Sequence, residues 1–294
     1  MEKQKKIHLF GSKTNCGEYF FRKSRKSFEV LRYSRKFDSE YIKVDFKNNT
    51  NQNIFFESSY CVSFMPIWTL SEILNKKYKN DQDELKNIEL LIVCSSSSAE
   101  TKKYTSNKFD RNLYQLLTQS ENLIRKICNN LNIKLLIIRP SLIYGNLDLY
   151  RDKNINLIIK ILKFLPFIFL PTNTGLRQPI HFSQLSDFIL DCCLYPEKIG
   201  LVSNHNVISI GGDYEISYHD LLVLIRKELV IDNNFYYFLI FKIPNRIFNF
   251  ILSPLALVSP KIYDAITRIA IDLAGFKKSS ELLNCKKKSF KFYA

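Results

Sequence analysis

Short β-prone runs alternate with polar or helix-patterned stretches through the first half of the chain. Lys6 to Phe10, Phe28 to Arg32, Tyr41 to Val44, Tyr60 to Phe64, Glu89 to Cys94 and Lys134 to Arg139 each read as a strand. Between the last two, apolar residues at Leu113, Leu116, Leu117, Leu123, Ile124 and Ile127 recur at three- and four-residue intervals, which predicts an amphipathic helix over 110–131. Strands alternating with helices predict an α/β protein with a parallel sheet. After Gly145 the pattern loosens into aromatic and apolar segments broken by prolines. The expected organisation is a first unit over 1–145, then a smaller one over 146–294 interleaved with returning pieces of the sheet.

With 294 residues and 46% hydrophobic content the chain can bury a large core. Its net charge of +15 comes from lysines spread along the chain amid abundant Asn, Ile, Phe and Tyr, so no basic patch or RNA-reading motif argues for nucleic acid. Seven scattered cysteines, with no CxxC or Cys/His cluster, predict reduced thiols and no metal site. The first twenty residues hold neither a long apolar core nor a small-residue cleavage site, from which a cytoplasmic location is expected. Ile161 to Pro171 is too short to span a bilayer, and Phe235 to Val258 is interrupted by Lys242, Pro244, Asn245 and Arg246. Contact with a membrane surface stays open.

The turn after the first strand carries Gly11, Thr14 and Gly17. Glycines there let a backbone approach a pyrophosphate at a helix N-terminus, and Thr14 stands where closest approach needs a glycine. Further motifs follow in order: Met65-Pro66-Ile67-Trp68, Ser95-Ser96-Ser97-Ser98 with Thr101-Lys102, Arg139-Pro140-Ser141-Leu142-Ile143-Tyr144-Gly145, Gly175-Leu176-Arg177-Gln178-Pro179-Ile180-His181, and Ser209-Ile210-Gly211-Gly212 with Ser217-Tyr218. From about Ile7 to Leu229 this series resembles the extended and atypical short-chain dehydrogenase/reductases, in the nucleotide-sugar branch of the NAD-dependent epimerase/dehydratase family.

The resemblance implies a Rossmann-type doubly wound sheet, with 1–145 as the dinucleotide-binding domain and 146–294 as the smaller substrate domain. It also implies NAD or NADP, with Gly11, Thr14 and Gly17 at the pyrophosphate and Asp45 at the adenine amino group. Arg32 and Arg35 stand where an acidic residue would hold the ribose of NAD, which tilts the choice toward NADP; a solvated basic turn is the alternative. Pro140 and Tyr144 fall at the end of the sixth strand, in the cleft where open α/β sheets bind ligands, although Tyr144 fits a packing role equally. Ser97 takes the position of the hydroxyl that bonds the reacting sugar oxygen. Arg177, with Gln178 beside it, matches the family's diphosphate-binding arginine.

The family's proton-exchanging Tyr and its Lys sit four residues apart on one helix face. Here that helix offers Tyr114 with Thr118, whereas Tyr104 to Lys108 reads YxxxK ahead of the helix and is expected to be a decoy. Asp110-Arg111 and Ser120-Glu121 approximate an ER and AE pattern that the resembling branch carries instead. His181 suits a packed, hydrogen-bonded ring better than an acid or base. The resemblance thus implies an epimerase, dehydratase or keto-sugar reductase acting on a nucleotide sugar in surface polysaccharide synthesis. The alternative is a dinucleotide-binding structural or regulatory subunit without turnover.

Overall fold

A computed structural model describes residues 5–34, 39–43, 56, 59–105, 107–148, 150, 152, 154–202, 206–232 and 239–288. Arg35 and Asp45 lie outside these residues. Strands β1 (Lys6–Phe10), β2 (Glu29–Ser34), β3 (Ile42–Lys43), β4 (Ser59–Ser63), β5 (Ile88–Cys94) and β6 (Lys134–Pro140) alternate with helices α1 (Asn15–Ser24), α2 (Ile67–Asn80) and α3 (Lys108–Leu131).

Beyond β6 come α4 (Asn154–Phe164), β7 (Phe167–Pro171), α5 (Phe182–Leu194), β8 (Val207–Gly211), α6 (Tyr218–Asp232), β9 (Leu239–Ile243), α7 (Asn245–Val258), α8 (Pro260–Thr267) and β10 (Lys277–Lys278). Eight strands form one sheet in the order β10-β8-β6-β5-β4-β1-β2-β3. Every pairing in it is parallel. The order reverses between β1 and β4, which places the switch-point crevice outside the carboxyl ends of those strands.

Side-chain alternation builds the layers. Leu90, Ile92, Leu136 and Ile138 face one side of the sheet, where α1 and α5 pack through Phe20, Leu185, Phe188 and Ile189. Their neighbours Leu91, Val93, Leu135 and Ile137 face the other, against Leu70 and Leu74 of α2 and Leu117, Ile124 and Ile127 of α3. Because both faces are covered, the strands read as nearly continuous apolar runs. A third cluster, with Ile155, Ile159, Leu162, Leu170, Leu221, Leu222 and Ile225, joins α4, β7 and α6 away from the sheet, and β7 pairs with β9. Pieces of the second half therefore return to the sheet as α5, β8 and β10, while 154–177 and 216–273 build the outlying part.

Candidate functional site

The turn from β1 into α1 keeps two of the three backbone approaches that a dinucleotide loop needs. Gly11 has φ +72°, and a Cβ there would lie 2.6 Å from the Met65 nitrogen at the end of β4; one at Gly17 would lie 2.5 Å from the Gly11 carbonyl oxygen. Thr14 caps α1. Its Oγ1 donates to the Gly11 carbonyl at 2.8 Å and accepts the Gly17 N–H at 3.0 Å. The N–H groups of Asn15 and Cys16 have no partner among the described residues, so the helix still presents two donors to an anion. A diphosphate fits this donor set, with Thr14 holding the third amide.

Replacing Thr14 with glycine frees the Gly17 N–H and removes the Cβ from the approach. Isothermal titration is expected to show NAD or NADP bound about fivefold more tightly, one hydrogen bond being worth about 1 kcal/mol, with stability down only a few tenths. Unchanged or weaker binding would mean that the cofactor does not use this loop.

Arg32 is buried among partners on α1 and the stretch after β2. It is 4% exposed; its Nη2 meets Glu18 and the Tyr41 hydroxyl, its Nη1 donates to Glu40 at 3.2 Å, and its guanidinium stacks on the Phe21 and Tyr41 rings. A ribose 2′-phosphate would have to displace Glu18 and Glu40 to reach Arg32. Glu18, a buried acid on α1, pairs with Arg22 of its own helix at 2.8 Å and with Arg32, and the second pairing was hidden in the sequence because β2 supplies it.

The loop after β6 is tied back onto α1: the Asn15 side-chain amide donates to the Gly145 carbonyl, and Arg22 pairs with Asp148. Pro140 is buried, and its carbonyl accepts the Ser97 N–H at 3.0 Å. Tyr144 is 3% exposed, sits in the third core cluster and meets His181 edge-on at 5.2 Å between ring centroids. Of its two readings, the structure displays the packing one.

The serine run follows β5. Ser97 begins the helical turn Ser98–Thr101 without capping it through its side chain, and its hydroxyl has no partner among the described residues. Ser95 is engaged instead: its Oγ donates to Glu121 Oε1 at 2.5 Å. Glu121, 2% exposed on α3, also receives Arg139 Nε at 3.0 Å and Nη2 at 2.5 Å. Tyr114, two turns earlier on α3, lies close enough to Arg139 and Lys103 to act on both electrostatically. Thr118, where the family has Lys, bonds back to the Tyr114 carbonyl at 2.9 Å. Arg139 and Lys103 are thus two cations near Tyr114. Tyr104 is 89% exposed. Asp110 pairs with Lys102 and, at 2.6 Å, with Arg268, so both acids of the ER and AE pattern act as staples.

Arg177 and Gln178 are each held by backbone groups of distant segments. Arg177 is 7% exposed; its Nη1 donates to the carbonyls of Leu176 (2.8 Å) and Ile271 (2.6 Å), and its Nη2 to that of Arg268 (2.7 Å). Its guanidinium lies 5.2 Å from the centre of the Tyr218 ring. Gln178, 1% exposed, donates to the carbonyls of Gly212 (2.9 Å) and Phe276 (3.0 Å) and accepts the Phe276 N–H (2.8 Å). Both hold the chain after residue 267 in place, a task that needs partners some ninety residues away. Asp213 extends it, receiving Gln184, Ser279 and the N–H groups of Ser280 and Lys288 at 2.8 to 3.0 Å.

His181 caps α5, its Nδ1 accepting the Ser183 N–H at 3.3 Å. Burial, with Lys288 nearby, pushes its pKa down to about 4. The unfolded chain takes up a proton near pH 6.5 and the folded chain only near 4, so stability falls as pH drops through that window. The loss is about 2 kcal/mol once the ring's partial exposure is allowed for. Urea unfolding at neutral pH and near pH 5 is expected to show it, and His181→Asn, which keeps a capping acceptor, to flatten it. An equal loss in the variant would place the titrating group elsewhere.

No protein-family model and no curated protein sequence matches the chain. Solved structures do. A UDP-N-acetylglucosamine 4-epimerase from Bacillus cereus is 14% identical, with a TM-score of 0.61 over 97% of this chain and 94% of that one. A GDP-mannoheptose C4 reductase from Campylobacter jejuni with NADP bound is 12% identical, with a TM-score of 0.61 over 83% and 88%. An epimerase from Methanothermobacter thermautotrophicus is 14% identical, with a TM-score of 0.62 over 99% and 90%. The chain shares the fold of these epimerase and reductase structures.

Proposed function

We propose that this protein binds NAD or NADP along the carboxyl ends of β1, β4 and β5 and acts on a nucleotide-activated sugar. The reaction would be a C4 epimerisation, a dehydration or a keto-sugar reduction serving surface polysaccharide synthesis. The observation that carries this reading is the glycine turn: Gly11 and Gly17 leave no room for a Cβ, and the Asn15 and Cys16 amides remain free for a diphosphate within a fold shared with such enzymes along nearly its whole length. The bound nicotinamide would give or take hydride. Ser97 would bond the reacting sugar oxygen, and Tyr114 would carry the proton with Arg139 or Lys103 as the nearby cation. With Arg32 held by Glu18 and Glu40, a preference for NADP rests on Arg35.

Incubation with either cofactor and with UDP-, dTDP- and GDP-hexoses, followed by sugar analysis, tests the proposal. A changed sugar that disappears in Ser97→Ala is the expected result. The second reading, a dinucleotide-binding subunit without turnover, is favoured by Thr14 over the loop and by Thr118 in place of Lys. Cofactor binding with no product from any sugar nucleotide would select it.

A further inference from the structure

The outlying part of the molecule leaves a large apolar surface in solvent. Phe164 at the end of α4 is 87% exposed, and on α7 Phe250 is 79%, Leu257 90% and Val258 82% exposed. Between them, α4, β7, α7 and α8 enclose a half-open cavity of ≈ 590 Å³ whose lining is apolar apart from the Tyr218 hydroxyl, including Leu162, Phe169, Phe248, Ile251 and Ile266. Monomeric soluble proteins rarely leave so much contiguous apolar surface uncovered.

Charge selects the occupant. Residues 154–175 and 239–267, which supply nearly all of this surface, carry Lys160, Lys163, Lys242, Arg246 and Lys261 against a single acid, Asp264. A second copy seated face to face would set these cations against their own kind. An anionic lipid surface would pair with them while accepting the Phe and Leu side chains, the arrangement of interfacial helices that lie in the plane of a bilayer. No helix among the described residues is long and apolar enough to cross a membrane, in keeping with attachment from one side.

We propose that the surface formed by α4, β7, β9, α7 and α8 docks on an anionic phospholipid bilayer, with Phe164, Phe250, Leu257 and Val258 entering the interface and the basic residues facing the headgroups. The inference goes beyond the catalytic reading and is independent of it, because it needs neither cofactor nor sugar.

Flotation of the whole protein with vesicles of phosphatidylcholine, alone or mixed with phosphatidylglycerol, tests it. Binding to the mixed vesicles is expected to exceed binding to the neutral ones by more than about tenfold, the effect of one or two well-placed cations, and to weaken in high salt. Phe250→Ser with Leu257→Ser, and separately Lys160→Glu with Arg246→Glu, should each abolish flotation at an unchanged unfolding temperature, since these side chains are exposed. Absence of flotation, equal affinity for neutral vesicles, or unaltered binding by both double variants would overturn the proposal. So would a wild-type dimer that ignores vesicles and that the serine variant splits into monomers, for the surface would then be a self-interface.

Discussion

Replacing Glu121 with alanine is expected to cost about 4 kcal/mol, the scale for removing one partner of a buried ion pair, and to lower the unfolding temperature by about 10 °C. Glu121 is 2% exposed, and its removal leaves Arg139 without the carboxylate that holds it by two bonds and Ser95 without its acceptor. The cost lies in the stranded charge more than in the lost attraction. Glu121→Leu combined with Arg139→Met should therefore recover most of the stability, since apolar replacement of a whole buried pair is often neutral. The same double variant takes Arg139 away from Tyr114 and leaves Lys103 there, so turnover lost in the folded variant would assign the cation's role to Arg139 and turnover kept would assign it to Lys103. A double variant as unstable as Glu121→Ala would show that the strands need the pair itself.

The second large effect concerns Arg177. Its side chain donates to three carbonyls drawn from residues 176, 268 and 271, and alanine would leave these acceptors in a buried setting. A loss of about 3 kcal/mol is expected, charged hydrogen bonds being the stronger kind, or some 6 to 10 °C in unfolding temperature. Arg177→Lys should rescue part of it, because an ammonium reaches fewer of these carbonyls than a planar fork does. If the role is structural, the stabilisation conferred by a UDP-sugar at temperatures where the variant is folded should stay unchanged. A variant that unfolds like the wild type but no longer responds to the sugar nucleotide would restore the diphosphate-binding role that the family resemblance implies.

What the sequence disclosed was local. The apolar runs at 88–94 and 134–140 alternate between two helix layers, so their period and their bounding polar residues located both strands. The three- and four-residue spacing of Leu117, Ile124 and Ile127 located α3. Gly11 and Gly17 could be read because their need for a bare backbone is set by the turn itself.

Arg32, Arg177 and Gln178 could not be read in the same way. Each looks like a ligand-facing polar residue beside a glycine or a strand end, and in each the decisive partner comes from a distant segment: Glu18 of α1 for Arg32, the stretch 268–276 for the other two. The resemblance ended near Leu229, so those last partners had no pattern to announce them. Asn15 and Asp213 escaped notice for the same reason: their partners, Gly145 and residues 279–288, are contributed by loops that only the folded chain brings near.

Thermal unfolding with NAD, NADP and their reduced forms, each with and without UDP and UDP-hexoses, tests the central claim most directly. A ligand that binds only the folded state adds about 2.7 kcal/mol of stability at a hundred times its dissociation constant. An upward shift with a dinucleotide and a further shift with a UDP-hexose are expected. No shift with any dinucleotide would mean that Thr14 closes the turn to the pyrophosphate, and would contradict the functional reading at its root.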